Sequence, residues 1–254
     1  MEQLSWIGFG AFFGASLVVG IRLVLLARRT GHLPELMIGI GVLGIGPLGF
    51  GLRTLASVPG RSTIVGATLI GCSFLALFVG ASSQYLFAWY VFRLRDRWAK
   101  PLCFGAILLL AAGYAGDLLE NGLFNRSHGG AWFWLGLLLR LAVLGWNAGE
   151  SFAYWTRMRR RLRLGLADPV VTNRFFLWGV GSGAAFLGTS IGAVAFAVSG
   201  WVSSGHPELA LLVSLHGGVA AVAMWLAFVP PGRYRRWIQA RGRRLGGDVP
   251  SERA

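Results

Sequence analysis

The chain has 254 residues, 55% of them hydrophobic and only 13% charged, with a mean hydropathy of +0.60. An average soluble domain carries about 25% charged residues, so this balance excludes a soluble globular protein. It also excludes disorder, and two cysteines with no Gly-X-Y period exclude a disulfide scaffold and collagen.

The net charge of +14 comes from 24 Lys+Arg against 10 Asp+Glu. A pI near 11.5 would suit a nucleic-acid binder. Here the arginines stand in short runs between apolar segments, which is the pattern of membrane topology, and no nucleic-acid partner is expected. Lys100 is the only lysine, and this bias, with the Ala and Gly richness, reads as a high-GC bacterial genome.

Crossing a bilayer takes about 20 apolar residues in a helix, and seven segments qualify. The first runs from Leu4 to Ala27. It follows Met1-Glu2-Gln3 with no basic n-region and is too long for an h-region, so it is read as a span and not as a cleavable signal. The second, Leu33 to Leu55, holds Pro47 among Gly44, Gly46 and Gly49. Proline removes a ladder hydrogen bond, which makes Pro47 the candidate helix break, while the glycines are read first as sites of close helix approach.

The third span, Thr63 to Phe92, carries Cys72 and a polar group at Ser82, Ser83 and Gln84. The fourth, Pro101 to Leu123, carries Cys103, Tyr114, Asp117, Glu120 and Asn121. Cys72 and Cys103 fall at different depths and are expected to stay unpaired. The fifth, Ala131 to Tyr154, carries Arg140, Asn147, Glu150, Ser151 and Tyr154, with Arg140, Asn147 and Tyr154 in one stripe seven residues apart. Trp146 is expected to pack against that stripe.

The sixth span, Arg174 to Val198, has Gly181-Ser-Gly183 but no proline. The seventh, Glu208 to Val229, holds the one deep histidine, His216, which beside Gly217 and Gly218 is read as a packed, hydrogen-bonded residue. Residues 1–231 thus form one bundle. Residues 232–254 form a basic tail, either a short interfacial helix on anionic lipid or a solvated segment that fixes topology.

The first, third and fifth links and the tail carry most of the arginines, whereas the other side has Arg53, Arg61 and Arg126. The positive-inside rule then puts the N-terminus outside and the C-terminus in the cytoplasm of a bacterial inner membrane, as a multi-pass protein. Spans one to three and five to seven share an orientation. Arg29-Thr-Gly-His-Leu-Pro-Glu-Leu before span two and Arg163-Leu-Gly-Leu-Ala-Asp-Pro-Val before span six lead into Gly-rich helices, and spans three and seven end in Arg95-Asp-Arg-Trp98 and Tyr234-Arg-Arg-Trp237. A parallel 3+1+3 repeat is expected from this. In topology alone the layout resembles that of the SWEET sugar transporters and of opsins, and such an analogy does not fix function.

Ionisable residues inside a span are costly unless paired or hydrated, and are functional candidates by default. By helical rise, Asp117 and Arg140 lie about 7 and 5 Å to the outer side of their spans' centres, and Glu150 about 10 Å toward the cytoplasm. A direct Asp117–Arg140 pair is expected between adjacent spans four and five. Glu150 is expected either to reach toward Arg157 and the interface or to be buried, with Ser82, Ser83 and Gln84 lining the same inner half.

Several classes lack their residues. Span seven has no lysine for a retinal Schiff base, there is no Asn-Pro-x-x-Tyr, and one deep histidine does not make a bis-histidine haem site. Asp117, Glu120, His128, His206 and Glu208 show no zinc-ligand spacing, and no phosphate loop, nucleophile elbow or Cys-x-x-Cys occurs. No enzyme activity, cofactor or metal is expected. The reading is a small-solute transporter with a polar path along helices four and five, bordered by Asp117, Glu120, Arg140, Asn147 and Glu150. The alternatives are a receptor or sensor signalling through a separate cytoplasmic protein, and a ligand-free accessory protein.

Overall fold

A computed structural model describes residues 2–56, 63–122, 129–200 and 206–245. Arg61, Leu123, Arg126, His128, Trp201 and the last nine residues of the tail lie outside the described residues. The structure is all-helical. The elements are α1 (Glu2–Thr30), α2 (Leu33–Ala56), α3 (Thr63–Phe92), α4 (Ala99–Asn121), α5 (Ala131–Arg163), α6 (Pro169–Ser199), α7 (Pro207–Phe228) and α8 (Gly232–Leu245). The first seven are long and apolar enough to span a membrane, which is the build of a multi-pass membrane protein.

Two helices are longer than the apolar runs that announce them. α5 has 33 residues, about 50 Å at 1.5 Å per residue, and so outruns a hydrocarbon core of about 30 Å. It continues nine residues past Tyr154, the expected end of the span, into Arg157–Arg163. α6 starts five residues before Arg174, because Asp168 caps it. The Asp168 carboxylate accepts from the Val170 and Val171 amides at 2.6 and 2.9 Å, and Pro169 occupies the first turn, where no amide is needed. Hydropathy marks where a helix is apolar, whereas caps mark where it ends.

Helix contacts form a closed ring in the order α1, α2, α3, α5, α6, α7 and back to α1, with α4 outside it against α3 and α5. The interior holds apolar side chains from five ring helices, among them Val19, Val42, Phe87, Trp178 and Met224. A smaller cluster of Tyr85, Cys103 and Val143 fills the corner where α3, α4 and α5 meet. Outward-facing residues such as Leu75, Leu108 and Val198 are well exposed, as a lipid-facing perimeter requires. Both cysteines are unpaired.

Pro47 has the expected effect in an unexpected form. α2 does not stop or bend into a loop. It widens into a π-helical stretch, Gly44–Gly51, and then resumes as α-helix to Ala56. Proline offers no amide to the ladder, and a wider turn re-pairs the neighbouring groups. Nothing comparable occurs in α6, which is continuous through Gly181-Ser-Gly183.

The glycines of α2 are contact points. A methyl group on Gly44 would lie 2.6 Å from the Ala76 carbonyl oxygen and 2.7 Å from the Gly80 Cα, and one on Gly80 would lie 2.8 Å from the Ile45 nitrogen. Backbones meet there with no side chain between them. Gly80→Val should therefore lower stability by about 1–3 kcal/mol through overpacking. Gly105→Ala, on a stretch of α4 with nothing within 4 Å of an added methyl, should be neutral or slightly stabilising. Thermal unfolding of the purified protein in detergent checks both.

Candidate functional site

Of the polar residues singled out in spans four and five, Tyr114, Asp117 and Arg140 form one group and Glu150 another, both on the seam where the α2–α3 side of the ring meets α4 and α5. At the end away from the arginine-rich links, Arg53 of α2, Phe74 of α3, Tyr114 and Asp117 of α4, and Trp132 and Arg140 of α5 line a cleft. Its cavity volume is about 30 Å³, enough for a few waters. α4 and α5 are tightly joined beside it: a methyl on Gly113 would lie 3.1 Å from the Gly136 nitrogen, and one on Gly116 would enter the Trp132 ring.

Asp117 and Arg140 share this cleft but form no ion pair with each other. The expected direct pair is thus corrected. The Arg140 guanidinium lies over the Tyr114 ring at 5.7 Å and its Nε donates to the Gly136 carbonyl at 3.2 Å. Asp117 accepts from the Asn121 side chain at 2.9 Å, one turn along its own helix. The physical reason is that Tyr114 is one turn before Asp117 on the same face and takes up the space in front of Arg140. The Tyr114 hydroxyl is buried and has no partner among the described residues, while its ring packs edge-on to Phe74 and Phe78. Glu120 does not join the group. It is exposed and lies against Gly130 at the start of α5.

At the arginine-rich end the same seam is closed by charge. Arg93, just past α3, donates through Nε to Glu150 Oε1 of α5 at 2.7 Å and through Nη1 to Asp96 at 3.0 Å. The Glu150 side chain is 8% exposed and that of Arg93 33%. The partner of Glu150 is therefore Arg93 and not Arg157, whose Nε donates to the Ala153 carbonyl and whose guanidinium lies over Tyr154. Hydrogen bonds to Glu150 and then to Asp96 raise the Arg93 pKa further above its usual range, so this guanidinium stays charged. Trp146 donates to the same Glu150 oxygen at 3.3 Å, and Trp98 lies over Arg93 at 5.6 Å.

Between the two groups, α3 and α5 are stitched by hydrogen bonds. Tyr85 donates to the Leu139 carbonyl at 2.7 Å, and Asn147 donates to the Val143 and Gln84 carbonyls at 2.9 and 3.3 Å. Asn147 is 1% exposed. Its Oδ1, the second Glu150 oxygen, the Ser151 and Ser82 hydroxyls and the Trp89 indole nitrogen are buried without partners among the described residues. Unpaired polar atoms in such a setting are costly, typically about 1–3 kcal/mol each, and most of those among the described residues lie on α3, α4 and α5, with Ser16 of α1 and Trp178 of α6 elsewhere. Ser83 instead donates to the Met37 carbonyl of α2 at 2.8 Å.

Arg93 was legible only as a topology arginine, because it follows the last apolar residue of its span. The signal that could have found it was Glu150 itself, a carboxylate with no cation on its own helix face at that depth. His216 pairs its Nδ1 with the Leu212 carbonyl at 2.8 Å, the packed role expected of it. Among the described residues no group of three or more His, Cys, Asp or Glu is placed to hold a metal.

Arg93→Gln removes the cation from a buried carboxylate. We expect it to cost about 1–3 kcal/mol, below the usual range for a buried pair because Arg93 is part-exposed. Adding Glu150→Gln should recover at least half of the loss, since the uncompensated charge is then gone. Thermal unfolding of the two single variants and the double variant measures this coupling.

No protein-family model, curated protein or solved structure matches the chain.

Proposed function

We propose that this chain is a small-solute transporter of a bacterial cytoplasmic membrane, with its path along the seam between α3, α4 and α5. One observation carries the reading: a single helix seam is parted into a polar cleft at one end and held shut at the other by an ion pair between part-exposed Arg93 and buried Glu150. The cleft presents Arg53, Arg140, Asp117 and Tyr114, a set suited to a charged solute. The closed end presents Arg93 and Glu150, which must separate if anything is to pass.

A cleft of about 30 Å³ admits water and no larger solute. Passage therefore requires the α4–α5 pair to shift against α2 and α3. The peripheral place of α4, which leans on α3 and α5 and otherwise lies outside the ring, favours such a shift. The arginine-rich end is taken as cytoplasmic by the positive-inside rule, with the N-terminus outside. The 3+1+3 repeat is part of this proposal, with α1, α2, α3 and α5, α6, α7 following one another around the ring and α4 outside it.

The test is uptake by proteoliposomes of a panel of carboxylates, amino acids, phosphate esters and sugars. At least one charged solute should enter faster than into protein-free vesicles. Arg140→Ala and Glu150→Gln should each slow its initial uptake at least about tenfold, or ~1.4 kcal/mol, with folding retained. If no solute moves above background, or both variants carry it at the wild-type rate, the transporter reading is overturned.

A further inference from the structure

The arginine-rich end holds a second surface that the proposed path does not use. α8 is fastened to the bundle by one narrow stripe. Tyr234 accepts from the Asn173 side chain of α6 at 3.0 Å, Ile238 is 8% exposed, and Gly242 sits on Pro169 so closely that an added methyl would enter the proline ring. These three residues are spaced by four and occupy one face. The remaining faces carry Arg233, Arg235, Arg236, Trp237 and Arg241, all exposed, with the Arg241 guanidinium 5.5 Å over the Trp237 ring.

Depth is fixed by the short link. Only Val229, Pro230 and Pro231 separate α7 from α8, so the start of α8 lies within about 14 Å of the end of a membrane-crossing helix. Asn173 and Pro169, to which α8 is tied, belong to the first turns of α6. α8 also touches α5, whose last turns carry Arg159 over the Trp155 ring at 4.9 Å. Five arginines between 157 and 163 and four between 233 and 241 stand against one carboxylate, Asp168, in these segments and the link joining α5 to α6. That carboxylate is already taken up by the Val170 and Val171 amides.

We infer that the surface formed by α8 and the last turns of α5 binds the headgroup of an anionic phospholipid. Guanidinium forks match phosphodiester oxygens two at a time, and an exposed tryptophan beside them suits the boundary between headgroup and acyl chain. Juxtamembrane basic clusters gain from anionic lipid through each charge near the surface, and the gain falls with salt. Positive-inside topology alone asks for arginines anywhere on this side. It does not ask for a helix locked in place at headgroup depth with its arginines and tryptophan on the free faces.

The experiment uses the full chain in neutral detergent. Retained lipid is read by native mass spectrometry, and thermal stability is read during titration with phosphatidylglycerol, phosphatidylcholine or inorganic phosphate. Phosphatidylglycerol should be retained and should raise the unfolding temperature, while the other two leave it unchanged. The triple variant Arg235→Gln, Arg236→Gln, Arg241→Gln should bind phosphatidylglycerol at least about tenfold more weakly, with its lipid-free stability intact. The control Arg28→Gln, Arg29→Gln, on the exposed end of α1, should bind as wild type. Equal stabilisation by phosphatidylcholine or by inorganic phosphate would overturn the proposal, as would an equal loss in the α1 control or wild-type binding by the triple variant.

Discussion

Hydrocarbon offers a peptide group no partner, and this constraint shapes everything else in the bundle. Each crossing segment answers it by pairing its backbone within its own helix. Among the described residues, Pro47 is the proline that falls inside a span and past its first turn, and there the helix widens to a π turn and stays wound. The widening falls where α2 is pressed against α3 at Gly44 and Gly80, with no side chain between the backbones. A missing donor and a close helix contact thus meet at the same depth, and the glycines that allow the contact also permit the altered winding.

Lipid is as apolar as leucine, so burying more leucine does not drive these helices together. The ring is held by close contact at small residues and by polar groups that cross between helices. α2 meets α1 near Gly39 and α3 near Gly80, and α4 meets α5 near Gly113 and Gly136. α3 and α5 are different. They are joined by Tyr85, Asn147 and the Arg93–Glu150 pair, and buried polar atoms without partners line the same seam. A bundle built for rigidity alone has a cheaper option, because apolar packing of similar volume is often as stable as a buried ion pair or more so. The polar stitching of α3 to α5 therefore argues for a role beyond holding the ring together.

Seven helices were legible in the sequence because a span needs a fixed length of apolar residues, and that length is countable. Helix ends were less legible: α5 runs to Arg163 on polar residues, and α6 begins where Asp168 caps it. Asp117, Arg140 and Glu150 were also legible, since each is anomalous at its depth, whereas Arg53 read only as a topology arginine. Their partners were not. Spacing tells which residues share a face of one helix, as with Tyr114, Asp117 and Asn121, but not how the neighbouring helix is rotated. Asp117 and Arg140 were at compatible depths and still do not pair, because Arg140 packs over Tyr114 and bonds the Gly136 carbonyl while Asp117 takes Asn121. Arg93 looked like one more arginine beyond a span, and only the fold brings it to Glu150.

The arrangement of charge along the seam bears on how it could work. At the cleft end, Arg140 is held by a ring face and a backbone carbonyl, and Asp117 by an amide. These are weaker and more replaceable partners than an opposite charge, so each ionic group retains capacity for something else. At the far end, Glu150 has a charged partner at 2.7 Å and keeps one oxygen unpaired, so its separation from Arg93 would leave a buried carboxylate that needs a new cation, a proton or water. Opening the seam at that end is therefore costly unless something replaces the arginine, whereas the cleft end carries no such cost. An asymmetry of this kind favours one closed end at rest, and it makes any opening depend on what arrives to take the place of Arg93.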